Sequence, residues 1–384
     1  MKKLFVPSYI ARTKWAVVLI IGITLIIFGR TVESPSLIKS AIVLGIGIDF
    51  DEESAEFDVT TQSVLVGIAG GQDSQSTYAL YDAKGKTIAD ALDKISRKMG
   101  LLVSLAHCNV LFVSQNVLKL DHLQLIYPLT GMYALPEQAI LATGERSPKD
   151  IMALRIGTTL SAPFFLQQAL INEEGSGGML RTTVKDFAAR SLSRSGASAL
   201  PYIVAKKMEN APMTEGGNDA STYETDMSRA LVFNHEKTAL LEGEYSELLA
   251  LFISRDAVGT LNYTADDGGT MEFKILGKQV SLKANGTRLF ASIKLFVDLS
   301  DVQHVPTDKV LSSADPVVKD YANRLAAQFE KIFVELYETS KSTGIDFLNL
   351  QDKAYQSVGR TLPENCLDEL SFSASVTISV QETA

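Results

Sequence analysis

Residues 41–64 read AIVLGIGIDFDEESAEFDVTTQSV. The fold turns on whether Gly45 and Gly47 open a phosphate loop or lie inside a strand. Ile42, Leu44, Ile46, Ile48 and Phe50 alternate with smaller or polar residues, which is the period of a strand. EFDVTTQSVLV resumes the same period after a polar turn, so the two segments form a hairpin. A dinucleotide fingerprint needs a third glycine three positions beyond the second, followed by a helix. Here that position is Phe50 and the next element is a strand, and no Lys-Ser or Lys-Thr pair follows to make a P-loop. On a strand, Gly45 and Gly47 share one face, where another element can approach the backbone closely. Asp49, Asp51 and Glu53 alternate like the start of a calcium loop, but the sixth and twelfth loop positions are Ser54 and Thr60. A calcium loop of the EF-hand type needs glycine and glutamate there, so this stretch reads as a solvated hairpin turn.

Working outward, KGKTIADALDKISRKMG places Ile88, Leu92, Ile95 and Met99 on one helical face, with Thr87 to cap the start and Gly100 to end it. LLVSLAHCNVLFVS reads as one buried strand, covered on both faces. QAILATGE is a further strand, and SPKDIMALR starts a helix with Ser147 as cap and Pro148 in its first turn. Helices are expected at about 163–173 and 183–193, and ALPYIVAKK closes the region as a strand. Residues 207–227 are rich in Gly, Asn, Thr and Ser and read as a linker.

Beyond it, RALVF and TALLEG are strands about a turn at Asn234 and His235, and EYSELLALFISRD is helical. MEFKILGKQVSLKANGTRLFASIKLFVDL gives two long strands about an Asn285-Gly286 turn. Asp315 before Pro316 is a capped helix start. Val318, Tyr321, Leu325, Phe329, Ile332, Phe333 and Leu336 then form a sustained apolar stripe on one helical face. A short helix lies near 346–357. The terminal SFSASVTISVQ sets Phe372, Ala374, Val376, Ile378 and Val380 on one face. The fold class is α+β: two to three mixed α/β domains with antiparallel or mixed sheets. The expected divisions are 40–206, the linker, and 228–384, the last separable into 228–303 and 304–384.

The 384 residues, 46% hydrophobic and 21% charged, suit a folded multidomain chain. A net charge of −9 without a basic stripe argues against nucleic acid as partner. Two cysteines, Cys108 and Cys366, exclude a disulfide framework and a zinc ribbon. Cys108, flanked by apolar sequence, reads as a small buried hydrophobe. Residues 15–28, WAVVLIIGITLIIF, carry no charge and follow Lys2, Lys3, Arg12 and Lys14. That pattern holds the N-terminus in the cytoplasm and sends the bulk of the chain outward. FGRTVES offers no small-residue cleavage site, so residues 1–30 are expected to be an uncleaved signal anchor rather than a cleaved signal peptide. Trp15, Ile20, Ile21, Leu25, Ile26, Ile27 and Phe28 would carry the membrane contact.

No catalytic, cofactor-binding or metal-binding residue emerges. His107 and Cys108, adjacent on a strand, would point to opposite faces. His122, His235 and His304 stand alone in the sequence without metal-ligand spacing. Glu173-Glu174 and Asp266-Asp267 read as exposed loop acids, and Gly70-Gly71-Gln72 as a chance match in a polar loop. There is no nucleophile elbow.

The order of segments resembles the Ger(x)C family, the C subunits of spore germinant receptors. GIGIDFDEESAEFDVTTQ looks like the family's opening hairpin, and GKTIADALDKISRKMGLLVSLAHCNVLFVS follows its pattern. RALVFNHEKTALLEGEYSELLALFISR resembles the start of its C-terminal half, and the long helix, TGIDFLNLQDKAY and the terminal strand resemble its end. The resemblance covers about residues 40–384. It implies a non-enzymatic, membrane-tethered subunit without cofactors, partnered by an A subunit and a transporter-like B subunit at the spore inner membrane. Two departures stand out. IIFGRTVES lacks the lipobox cysteine usual in the family, so lipidation is not expected, and Asp346-Phe347-Leu348-Asn349 lacks a customary glycine. The competing expectation from outside this family is an anchored extracytoplasmic solute-binding protein.

Overall fold

The computed structural model describes residues 40–65, 77–156, 161–171, 179–208, 222–254, 259–266, 268–305, 310–358 and 366–381. The expected anchor, with Trp15, Ile20, Ile21, Leu25, Ile26, Ile27 and Phe28, lies outside the described residues. So do Gly70, Gly71, Gln72, Glu173, Glu174 and Asp267. Among the described residues no helix is long and apolar enough to cross a membrane.

The first sheet is mixed. It contains β1 (Ser40–Asp51), β2 (Glu56–Leu65), β3 (Thr77–Gly85), β5 (Val110–Val113), β6 (Ile140–Gly144), β9 (Ser198–Lys207), β10 (Thr222–Phe233) and β11 (Thr238–Leu241). Their order is β11-β10-β9-β6-β5-β1-β2-β3. The short strands β4 (Leu102–Ser104), β7 (Arg155–Ile156) and β8 (Thr182–Thr183) attach to β1, β10 and β6. The middle strands β1, β5, β6 and β9 run parallel, and antiparallel hairpins extend both sides.

Helices cover both faces, which explains the continuous apolar run of β5, as expected of parallel strands. Leu111 and Val113 join Ile46 and Ile48 against α1 (Ile88–Met99), α2 (His122–Gly131) and α5 (Val184–Ser191). Val110 and Phe112 join the opposite core with α3 (Pro148–Ala153) and α4 (Ala162–Ile171). The two glycines of β1 lie on this second side. A Cβ on Gly45 would stand 2.5 Å from Pro163 Cγ, and one on Gly47 would stand 2.9 Å from Met152 Sδ and Pro148 Cβ. Their function is close packing of α3 and α4 on the sheet. The capping signals are realised too: Thr87 accepts from Asp90 N–H, Ser147 from Asp150 N–H, and Gly100 ends α1 at φ +67°.

The second sheet runs β12 (Thr260–Thr264), β13 (Thr270–Asn285), β14 (Arg288–Gln303), β15 (Ser371–Val380). It is antiparallel except for the β14–β15 pair. The helix α7 (Pro316–Thr343) packs on it through all seven residues of the expected stripe, each of them buried. With α6 (Glu244–Ile253) and α8 (Leu350–Val358) it closes a third core. Lys278 helps to fix α6: its ammonium donates to Leu251 O at 2.8 Å and Ser254 O at 2.5 Å, at the negative end of the helix.

Several expectations need correction. LLVSLAHCNVLFVS is not one strand. The chain turns at Leu105–Cys108, where Cys108 N–H donates to Leu105 O, so that β4 and β5 can both pair with β1. His107 lies exposed in that turn while Cys108 is buried. The 207–227 boundary runs through a hairpin: β10 starts at Thr222 and pairs with β9. The strands RALVF and TALLEG therefore complete the first sheet and do not open the second. The β13–β14 turn is centred one residue later than expected, since Asn285 pairs with Arg288 and only Gly286 takes positive φ, +65°. Asp315 precedes α7, but its carboxylate accepts from Ser312 and makes no cap bond. Besides the short strands β7, β8 and β12, two longer elements were not anticipated, β3 and α2. The first is an edge strand with interspersed charges, and the second carries Pro128 within it.

Gly47→Val is expected to lower the unfolding free energy by about 1–3 kcal/mol, because the strand cannot move away from two covering helices. Gly131→Ala, which meets nothing within 4 Å, should change it by less than about 0.5 kcal/mol. Urea denaturation of the two variants checks this.

Candidate functional site

Three segments converge where the first sheet meets the second half of the chain. The first is the turn after α5. Ser193 N–H donates to Arg190 O, Gly196 N–H donates to Ser193 O, and Gly196 holds φ +59°. The second is the β10–β11 turn. Asn234 Oδ1 accepts from Glu236 N–H at 3.0 Å and Lys237 N–H at 2.8 Å, an Asx-type closure. The third follows α7. Gly344 ends the helix at φ +71°, and Asp346 then starts α8 by accepting from Leu350 N–H at 2.8 Å and Gln351 N–H at 2.9 Å.

Direct bonds tie these segments together. Asn234 Nδ2 donates to Gly344 O, and Lys237 Nζ to Thr343 O at 3.0 Å. Arg190 Nη1 donates to Phe347 O at 3.3 Å, and Arg194 N–H to Asp352 Oδ1 at 3.0 Å. Asp346 is deeply buried and Arg190 half-buried. Burial pulls the Arg190 guanidinium down, and the carboxylates of Asp186 and Asp346 push it back up. Burial pushes Asp346 up to about 6, opposed by the N–H groups of Gln351 and Leu350. Asn349 stands in the left-handed region at φ +59°, in the segment that lacks the customary glycine. Asparagine tolerates that conformation better than most residues.

Together the segments line a polar cleft of about 640 Å³, bounded by Arg194, Ser195, Asn234, His235, Glu236, Gly344 and Gln351. Behind it His122 and His235, which are isolated in the sequence, are stacked with ring centroids 4.4 Å apart. His122 is 1% exposed. Its Nε2 faces Leu118 O at 2.8 Å and must donate; its Nδ1 faces Ser191 Oγ at 3.0 Å and accepts when the ring is neutral. Burial pulls its pKa down, Leu118 O raises it, and His235 lowers it further.

A second concavity, of about 750 Å³, is apolar and lies at the tip of the opening hairpin. Phe50 and Phe57, with centroids 5.0 Å apart, form one wall; Leu120, Leu123 and Tyr127 stand opposite. The hairpin turn itself is solvated. Asp51 Oδ1 accepts from Glu53 and Ser54 N–H, and among the described residues no group of three or more metal-ligating side chains gathers. Both cysteines are free and buried. Cys108 donates to Val110 O, and burial pushes its thiol up to about 12; Cys366 Sγ lies 3.5 Å from Gln351 Oε1.

No cleft residue was singled out in the sequence for binding. The signals present were the NHEK turn and the TGIDFLNLQDKAY segment, but the hydrogen bonds between them span 106 and 110 residues and form no local motif.

Residues 36–205 match the family described as spore germination protein N-terminal domain. Over these residues the chain is similar to that spore germination family, in keeping with the Ger(x)C resemblance of its opening segments. A solved structure described as the crystal structure of the GerBC protein is similar at 11% identity, covering 88% of this chain and 97% of that one, with a TM-score of 0.49. No curated protein matches the chain.

The histidine pair gives a pH prediction. The folded pKa of His122 lies below its ordinary 6.5, so the unfolded chain takes up the proton first. Its contribution is complete above about pH 6.5 and is lost as pH falls below it. The raised carboxyl of Asp346 acts with the opposite sign, favouring the fold as pH falls toward 3.8. Comparing wild type with His122→Gln by urea denaturation at several pH values isolates the histidine. The wild type should lose more stability than the variant between about pH 7.5 and pH 5.5.

Proposed function

We propose that this chain is a non-enzymatic, membrane-tethered subunit of a nutrient germinant receptor, required for spore germination. The observation that carries this reading is the spore germination domain over residues 36–205. The C-terminal elements that resemble the rest of the family support it. The partners are an A subunit and a transporter-like B subunit at the spore inner membrane. The tether is the apolar segment 15–28, which replaces lipidation because no cysteine stands directly after it in FGRTVES. The displayed surfaces, including the hairpin-tip groove and the polar cleft, are then available on the outer side of that membrane.

Deleting the gene should abolish germination triggered by the cognate nutrient and leave non-nutrient triggers effective. Unchanged nutrient germination in a strain without a redundant receptor would refute the assignment. For the tether, N-terminal sequencing of the mature protein should recover the intact start, and labelled palmitate should not be incorporated.

A further inference from the structure

The two sheets end in β3, β11, β12 and β15, and the first three of these edges are blunted. Strands β11 and β12 are only four and five residues long. Strand β3 carries Asp82 and Lys84, and the ammoniums of Lys98 and Lys94 from α1 donate to the carbonyls of those same two residues. Short edges and edge charges are common protection against unwanted strand pairing.

Strand β15 has none of these devices. It is ten residues long, pairs with β14 without a bulge, and holds no charge, proline or glycine from Ser371 to Gln381. Ser371 and Gln381 donate their N–H groups to Thr287 O and Val297 O, on the β14 side. Because the backbone alternates, the N–H and C=O groups of Phe372, Ala374, Val376, Ile378 and Val380 point the other way. Among the described residues no strand pairs with that side, and one of the five N–H groups is bonded: Val376 donates to Glu330 Oε2 of α7, at a long 3.4 Å.

We propose that this edge is the interface for a second copy of the chain, joined through β15 in antiparallel register about Val376. The strand supplies its own complement there. All five outward residues find a partner: Phe372 stands opposite Val380, Ala374 opposite Ile378, and Val376 opposite itself, so that large side chains meet smaller ones. On the other face Ser373 meets Ser379 and Ser375 meets Thr377, hydroxyl pairs of the kind that stabilise adjacent strands. The contact is isologous and closes as a two-fold dimer with one continuous sheet. Glu330, which is exposed, opposes it. Each copy brings one carboxylate toward the two-fold, and each Val376 N–H exchanges that carboxylate for the partner's Val376 carbonyl. Glu330 therefore weakens the pairing without blocking the backbone. The dimer stands apart from the receptor role, since it can be measured whether or not deletion affects germination.

The test is sedimentation equilibrium of the full chain in density-matched detergent micelles. Wild type should dimerise at about 10 μM. Thr377→Lys, at an exposed position, sets two ammoniums close to the two-fold and should weaken the dimer about tenfold or more. Ala374→Pro removes an outward N–H that β14 does not use, and should weaken it as much. Glu330→Ala frees the Val376 N–H and removes the like charges, and should tighten the dimer about threefold or more. Circular dichroism checks that each variant folds, and Thr377→Lys and Glu330→Ala, both on exposed side chains, carry the test if Ala374→Pro does not. A wild type still monomeric at about 100 μM, a dimer that Thr377→Lys leaves intact, or one that Glu330→Ala fails to tighten would overturn the proposal. Association through the N-terminal segment instead would be indifferent to all three variants.

Discussion

The β9–β10 pairing is the constraint on which the rest of the structure depends. Alternate residues of β10 feed different cores: Leu231 and Phe233 pack with α1, α2 and α5, while Ala230 and Val232 pack with α6, α7 and the second sheet. Strand β9 divides in the same way, with Leu200 on one side and Ala199 on the other. Because side chains alternate with period two, a slip of one residue would send each set into the wrong core. Register in this one hairpin therefore positions the second half of the chain against the first. The sheet needs cover on both faces, and near its β11 edge the second half supplies part of that cover.

The candidate site follows from this arrangement. The β10–β11 turn projects from the shared hairpin, so Asn234 and Lys237 reach Gly344 and Thr343 at the end of α7. The α5 turn is brought alongside by the same sheet, and Arg190 crosses to Phe347. The polar junction is thus a product of tertiary packing and holds buried charges that a simple apolar interface would not need. A buried charge is costly unless it is bonded. Here Asp346 is satisfied by the N-terminus of α8, and Arg190 by a carbonyl and two neighbouring carboxylates. The junction is specified by hydrogen-bond geometry, which suits a surface that must present fixed polar groups to a ligand or partner.

Much of the architecture was legible in the sequence, because local rules and tertiary structure agree. The period of Ile46 to Phe50, the Thr87 and Ser147 caps, the stripe from Val318 to Leu336 and the alternation of the last strand all act within a few residues, whereas a bulge between Val43 and Gly45 sends Val43 rather than Ile42 and Leu44 into the core. Gly45 and Gly47 share a face, as strand period requires, and are closely approached by Pro163 and by Met152 and Pro148. What escaped was decided by distant partners. The polar stretch 207–227 has a linker's composition, yet β10 begins inside it because β9 offers a hydrogen-bonding edge. LLVSLAHCNVLFVS has the apolarity of one strand, yet it turns so that both of its halves can meet β1. The cleft was invisible for the same reason, since His122 and His235 are 113 positions apart and meet only in the folded chain.

The central claim is that the two sheets form one cooperative unit through β9 and β10. Native-state hydrogen exchange in increasing urea tests it most directly, read at the amides of Ile46 in β1, Val232 in β10 and Ile293 in β14. The account predicts that the three converge on a single opening free energy with the same urea dependence. A lower-energy opening that releases Ile293 while Ile46 and Val232 stay protected would contradict it.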